Sequence, residues 1–123
     1  MTTINSNGYS IYIGKASLVN FDYSVFSNIA ILIDENTKKH CLPILLKEKN
    51  LKNYIIIEIN SGEEQKNIST CNYIWGKLSY NNFDRNSLLI NLGGGVIGDI
   101  GGYCASTYKR GINFIHIPTS LLA

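Results

Sequence analysis

Apolar residues gather along this chain into short blocks separated by polar, turn-forming stretches. Five blocks have the length and β-branched content of strands: SIYIG (10–14), IAILID (29–34), YIIIEI (54–59), SLLINL (87–92) and NFIHIP (113–118). The second, third and fourth are nearly continuous rather than alternating, the pattern of strands covered on both faces in a parallel sheet. The stretches between them carry helical spacing. In ENTKKHCLPILLKEKN, Leu42, Leu45 and Leu46 share a face, and Pro43 is expected to limit or kink the helix. In EEQKNISTCNYIWGKLSYNN, Ile68, Cys71, Ile74, Trp75 and Leu78 form one stripe. A third stretch, GDIGGYCASTYKRG, places Gly111 where a glycine often closes a helix. Strands alternating with helices predict βαβ units with right-handed crossovers. The expected fold is α/β, Rossmann-like, with a mostly parallel sheet and flanking helices over residues 1–123.

Composition narrows the function classes. The 123 residues carry a net charge of +2 and 45% hydrophobic content, a globular balance with one modest core. The lysines are scattered rather than gathered in a stripe, so no nucleic-acid partner is predicted. The N-terminus has neither a cationic nor an apolar leader segment, and no apolar run reaches membrane-spanning length. A cytoplasmic chain without a membrane partner is therefore expected. Cys41, Cys71 and Cys104 are odd in number and far apart, which reads as reduced, buried thiols. His40 and His116 stand alone on different elements, and no metal site is assigned within this chain.

The unusual chemistry lies in LLINLGGGVIGDIGGYCASTYKRG (88–111). Gly93, Gly95 and Gly98 satisfy G-x-G-x-x-G between a strand and a helix. Glycine permits a sharp turn and lets a phosphate approach backbone N–H groups with no Cβ in the way. A helix starting near Gly98 would present its unpaired N–H groups to that anion. Gly101 and Gly102 would let the helix lie close against the sheet or a cofactor. Each glycine inside a helix costs about 1 kcal/mol relative to alanine, so this density needs a compensating reason. A tight turn with no ligand is the bland alternative. The ordinary dinucleotide fingerprint belongs to the first βα turn, with an acid about 20 residues on. Here the glycines follow the fourth strand, and the acids at strand ends (Asp34-Glu35 and Glu63-Glu64) lie upstream. A dinucleotide would be held in a permuted arrangement.

The stretch GGGVIGDIGGYCASTYKRGINFIHIPTSLLA resembles the corresponding part of the 3-dehydroquinate synthase family, as do IDEN (33–36) and SGEEQKN (61–67) upstream, in the same order. The resemblance implies an N-terminal NAD-binding domain from an enzyme normally about three times as long. PTSLLA ends where a further element would begin, so the domain is expected to be incomplete and inactive alone. The implied reaction converts 3-deoxy-D-arabino-heptulosonate 7-phosphate, a phosphorylated sugar acid, to 3-dehydroquinate and phosphate in the shikimate pathway. Catalytic NAD oxidises a secondary alcohol, phosphate is eliminated, the ketone is reduced again, and the ring opens and recloses by an aldol step. A divalent metal, zinc or cobalt, would be held by one glutamate and two histidines of the family's C-terminal helical domain. A homodimer is implied for the full-length form.

The resemblance also assigns residues. Asp34 and Asn36 would lie beside the adenine half of NAD, and Gly62, Glu63 and Lys66 match the family's G-E-x-x-K, with Glu63 on a ribose hydroxyl. Gly94, Gly95, Val96 and Ile97 would wrap the pyrophosphate, with Gly98 and Asp99 completing the loop toward the nicotinamide. Thr119 and Ser120 match a Thr-Thr pair that touches the cofactor. Arg110 matches an arginine that grips the substrate's phosphate side. Each has a plainer reading: Ser61 and Glu64 as a capping box, Asp34 as a helix N-cap, Lys109 and Arg110 as cations at a helix C-terminus, Tyr103 and Tyr108 as packing residues. Other sugar-phosphate cyclases and iron-type dehydrogenases share the GGG…D signature, and GDxxGxxAxxxxRG favours the cyclases. A non-catalytic NAD-binding remnant is the remaining alternative.

Overall fold

The computed structural model describes residues 2–6, 9–13, 22–48, 51 and 53–119, with side chains for 22–47, 51 and 53–119. Six strands, β1 (Thr2–Ser6), β2 (Tyr9–Ile13), β3 (Ile29–Ile33), β4 (Tyr54–Glu58), β5 (Leu88–Leu92) and β6 (Asn113–Ile117), form one sheet in the order β2-β1-β6-β5-β3-β4. The run β6-β5-β3-β4 is parallel; β1 is antiparallel to β6 and to β2. Among the described residues α-helices are interleaved as α1 (Glu35–His40), α2 (Leu42–Glu48), α3 (Ile68–Tyr80) and α4 (Gly95–Thr107).

Alternation along the central strands builds two cores. Ile29, Ile31 and Ile33 join Leu88, Ile90, Leu92, Ile115 and Ile117 under α1 and α2, through Cys41 and Leu45. Ala30, Leu32, Leu89 and Phe114 point the other way, onto Cys71, Ile74 and Leu78 of α3 and Ile97, Ile100 and Cys104 of α4. Every residue of β3 and β5 is buried, as continuous apolar runs require. The three cysteines are free and buried.

Several sequence expectations change. β4 is the sheet's edge, with Ile56 37% exposed, so its apolar run is not covered on both faces. The strand expected at 10–14 lies at Tyr9–Ile13, in an antiparallel hairpin with β1, which has too little apolar content to stand out. The stretch after β3 is two helices broken at Cys41; Pro43 is the second residue of α2, in the first turn where its missing N–H costs nothing. Ile68 leaves the buried stripe of α3 and is 62% exposed, while Thr70 is buried instead. Gly111 (φ 104, ψ 133) closes the helical stretch as expected, but as the cap of a 3-10 turn after α4 and not of α4 itself, and it is not alone in having a positive φ. Lys109 (φ 45, ψ 46) and Arg110 (φ 67) also have positive φ, inside that turn, Tyr108–Arg110. Tyr108 anchors that turn from the core, its hydroxyl donating to the Phe83 carbonyl at 2.9 Å. Tyr103 is 54% exposed and meets Trp75 at a ring-centroid distance of 6.2 Å.

Candidate functional site

The chain leaves β3 for β4 on one side, then crosses back to β5 and β6 on the other. The loops after β3 and β5 therefore diverge at their carboxyl ends. That divergence opens the crevice where open α/β sheets bind ligands. Residues from four loops meet along this edge.

After β3, Asp34 caps α1: its Oδ1 accepts from the N–H groups of Asn36 and Thr37, both at 2.9 Å, while the Asp34 N–H donates to Thr37 Oγ1 at 3.0 Å. Such a cap contributes about 1 kcal/mol. The N-cap reading of Asp34 therefore holds, with Asn36 exposed beside it in the first turn.

After β4, Gly62 (φ 116) turns the chain into a 3-10 turn, Glu63–Gln65. The capping box read from Ser61 and Glu64 does not form. The N-cap of α3 is Asn67, which accepts from Thr70 N–H at 2.8 Å, and Ser61 is instead held by the Glu35 carboxylate. Lys66 Nζ lies 2.8 Å from Asp99 Oδ2 and 3.3 Å from Glu63 Oε2. Those contacts, Asp99 first, raise the Lys66 pKa. Behind the pair a cavity of about 340 Å³ opens between α3 and α4, lined in part by Ile68, Cys71, Ile100 and Tyr103. The cavity accounts for the exposure of Ile68.

After β5 come the glycines. The Gly93 N–H donates to Ile117 O at 3.1 Å, which ties the turn to the end of β6. Helix α4 starts at Gly95 with Gly94 as N-cap, earlier than expected, so Gly98 and Asp99 lie within the helix and not in the loop. No side chain caps α4, and no acid stands in its first turn. Its leading N–H groups and positive dipole end have no capping side chain among the described residues.

The glycines divide into two kinds. A Cβ on Gly93 would fall 2.8 Å from Ile97 Cγ1. One on Gly98 would be 3.3 Å from His116 Nδ1, one on Gly102 3.3 Å from Phe114 Cε2, and one on Gly101 would overlap the Asn91 amide. These four let α4 settle onto β5 and β6. Gly94 and Gly95 meet nothing within 4 Å, and neither has a positive φ. Neither packing nor conformation accounts for them. Together they leave open room against bare N–H groups, and the residues present fit the diphosphate of a dinucleotide.

Thr119 lies two residues beyond β6 at this same edge and is exposed; Ser120 lies outside the described residues. Val96 and Ile97 occupy the first turn of α4, half-buried and buried. Thus Asp34, Asn36, Gly62, Glu63, Lys66, Gly94 through Asp99 and Thr119 gather on one edge. Arg110 does not join them. It follows α4, and 13 helical residues at 1.5 Å each carry it about 20 Å to the opposite edge of the sheet.

Three contributors were not assigned from sequence. Glu35 bonds a residue 26 positions away, which no local pattern signals. Asn91, buried in β5, approaches His116 Nδ1 with its Nδ2 at 3.2 Å. Burial beneath α4 lowers the His116 pKa, with Asp99 opposing more weakly. Among the described residues no group of three or more His, Cys, Asp or Glu could hold a metal ion, and no helix is long and apolar enough to cross a membrane.

Comparison with known proteins bears on this geometry. The chain is 42% identical over 120 residues to 3-dehydroquinate synthase of Campylobacter jejuni, covering 98% of this chain and 33% of that one. It is 40% identical over 129 residues to 3-dehydroquinate synthase of Clostridium acetobutylicum, covering 98% and 36%. The chain thus spans about a third of the length of the curated relatives it matches. Among solved structures, 2-deoxy-scyllo-inosose synthase shares the fold with a TM-score of 0.74 at 22% identity, over 85% of this chain and 30% of that one. The 2-epi-5-epi-valiolone synthase of Streptomyces hygroscopicus subsp. jinggangensis, solved with NAD+ and Zn2+ bound, gives 0.64 at 23% identity, over 77% and 28%. The family model described as 3-dehydroquinate synthase N-terminal matches residues 56–123, a stretch that starts in the middle of β4 and includes α3, the glycine turn, α4 and β6. With that model covering more than half of its length, the chain belongs to the 3-dehydroquinate synthase family.

Proposed function

We propose that these residues form the NAD-binding part of a 3-dehydroquinate synthase, which converts 3-deoxy-D-arabino-heptulosonate 7-phosphate to 3-dehydroquinate and phosphate. One observation carries the reading: Gly94 and Gly95 leave open space against an uncapped helix N-terminus at the switch point of the sheet. Bound there, NAD supplies a reversible hydride acceptor for a secondary alcohol of the substrate.

The chain's own residues bind and orient. The N–H groups of Gly95, Val96 and Ile97 donate to diphosphate oxygens, aided by the helix dipole. Asp34 uses Oδ1 for its cap, and its other oxygen accepts from a ribose hydroxyl on the adenine side, next to Asn36. Glu63 accepts from a ribose hydroxyl, and Lys66, set between Glu63 and Asp99, borders the groove. Gly62 provides the turn that brings them there, Gly98 seats the helix, and Thr119 borders the groove on the β6 side; a cofactor contact for Ser120 rests on its match to the family's Thr-Thr pair alone. A divalent metal, zinc or cobalt, belongs to the proposed reaction, and its ligands are assigned to none of the described residues. Arg110 lies at the far edge, so its grip on the substrate phosphate requires a second copy of the chain, in keeping with a homodimer. The setting is cytoplasmic.

The 42% identity to a 3-dehydroquinate synthase supports this substrate over those of the related cyclases. The test is phosphate release by the full-length protein from the heptulosonate 7-phosphate with NAD and Zn2+ or Co2+, beside other sugar phosphates. Turnover confined to a different sugar phosphate overturns the substrate; a protein that retains no NAD overturns the reading.

A further inference from the structure

Two of the four loops at the binding edge are joined by a side chain with no assigned role. Glu35 is the first residue of α1, directly after the Asp34 cap, so its backbone is fixed by that cap. Its carboxylate crosses to the loop after β4, accepting from Ser61 N–H at 2.8 Å through Oε1 and from the Ser61 hydroxyl at 2.5 Å through Oε2. Both oxygens are used, on a main-chain and a side-chain donor of one residue. The Ser61 hydroxyl is the first cause of a lowered Glu35 pKa, so the group is ionised at neutral pH.

What Ser61 holds is short and rigid. Gly62 follows at φ 116, Gln65 N–H returns to Gly62 O at 3.0 Å, and Lys66 N–H returns to Glu63 O at 3.0 Å. Lys66 then reaches Asp99 of α4 at 2.8 Å. A continuous series of contacts therefore runs from the loop after β3, through the loop after β4, to the glycine helix. Remove its first link, and Ser61 loses both partners while the core beneath is untouched, because this bond lies at the surface.

We propose that Glu35 is a positioning residue for the nucleotide groove, fixing the loop after β4, and with it Glu63 and Lys66, against the loop after β3. The inference rests on the reading of this edge as an NAD site. A carboxylate takes both Ser61 hydrogen bonds as charge-assisted ones. Glutamine would keep the Ser61 N–H on its oxygen but turn an NH2 toward the hydroxyl, which would then have to accept, so both bonds would be neutral.

The experiment measures NAD affinity, thermal midpoint and kcat at saturating NAD for the full-length protein and its variants. Glu35→Ala is expected to weaken NAD binding about tenfold, the scale of one lost hydrogen-bonding residue, with midpoint and saturated kcat nearly unchanged. Glu35→Gln falls between, and Ser61→Ala, which keeps its N–H, loses less than Glu35→Ala. The double variant Glu35→Ala/Ser61→Ala is expected to match Glu35→Ala alone, since both act through one contact. Unchanged NAD affinity in Glu35→Ala, a parallel fall of midpoint and kcat, or additive losses in the double variant each overturn the proposal while the NAD reading stands. Wild-type protein that binds no NAD overturns both.

Discussion

The side-chain amide of Asn91 occupies the space that a Cβ on Gly101 would need, which puts the α4 backbone in direct contact with a buried polar group of β5. Among the described residues Asn91 Oδ1 has no hydrogen-bond partner, and the Gly101 main chain stands against it. Gly101→Ala is expected to destabilise the fold by about 1–3 kcal/mol through overpacking, more than alanine's helix propensity of about 1 kcal/mol returns. Chemical denaturation of the single and of Gly101→Ala/Asn91→Ala checks it. The second substitution should relieve part of the first, and strictly additive losses would mean that Asn91 is not the obstacle.

Gly95 should behave in the opposite way. No neighbour opposes a Cβ there, and the residue sits in the first helical turn. Gly95→Ala is expected to stabilise by about 0.5–1 kcal/mol while lowering NAD affinity tenfold or more, because the new methyl group fills the space in front of the free N–H groups. Thermal melts paired with calorimetric titration separate the two. Stability and affinity rising together would remove the glycine turn from the binding site.

At Arg110 the chain keeps a side chain where its backbone favours glycine. A non-glycine residue at φ 67 costs on the order of 1 kcal/mol. Arg110→Gly should therefore raise stability by about that amount and depress turnover of the full-length protein by orders of magnitude, whereas Arg110→Ala should depress turnover without the gain. Full turnover in either variant would remove Arg110 from the substrate.

His116 makes stability depend on pH. Burial under Gly98 and Gly102, against Phe114 and Asn91, lowers its pKa below the ordinary 6.5; the Asp99 carboxylate pulls the other way. The unfolded chain then takes up the proton first as pH falls. The contribution is complete above pH 6.5 and lost on acidification through the folded-state pKa, with a slope of at most about 1.4 kcal/mol per pH unit. Denaturation at stepped pH in wild type and His116→Gln checks this; the variant should lose that slope below pH 6.5.

Much of the architecture was legible because burial writes itself into composition. The runs of β3 and β5, interrupted only by Asn91, are apolar on both faces because helices cover both. β4 has the same kind of run yet lies at the edge, and strand order is a property of the crossovers, not of the strand. β1 has one apolar residue in five and owes its place to partners; Asn7-Gly8, a dipeptide favoured in two-residue hairpin loops, was the available sign. In the site, glycine spacing located the turn without separating the glycines with open space before them, Gly94 and Gly95, from those that face Asn91, Ile97, His116 and Phe114. That division depends on what lies across the sheet. Ser61 illustrates the same limit. Its spacing to Glu64 suits a cap, but Glu35, distant in sequence, takes both of its hydrogen bonds.

The pairing of β1 with β6 sets Thr3 opposite His116 and so joins residues separated by almost the entire chain. Such a contact cannot form until everything between has been made, and the entropy of closing so large a loop precedes any reward. On the ribosome the first hairpin waits with one edge unmet while the parallel strands assemble. Docking of that hairpin is then a late step of maturation, and in the interval the outer edge of β6 is a second unpaired edge beside that of β4, open to wrong partners.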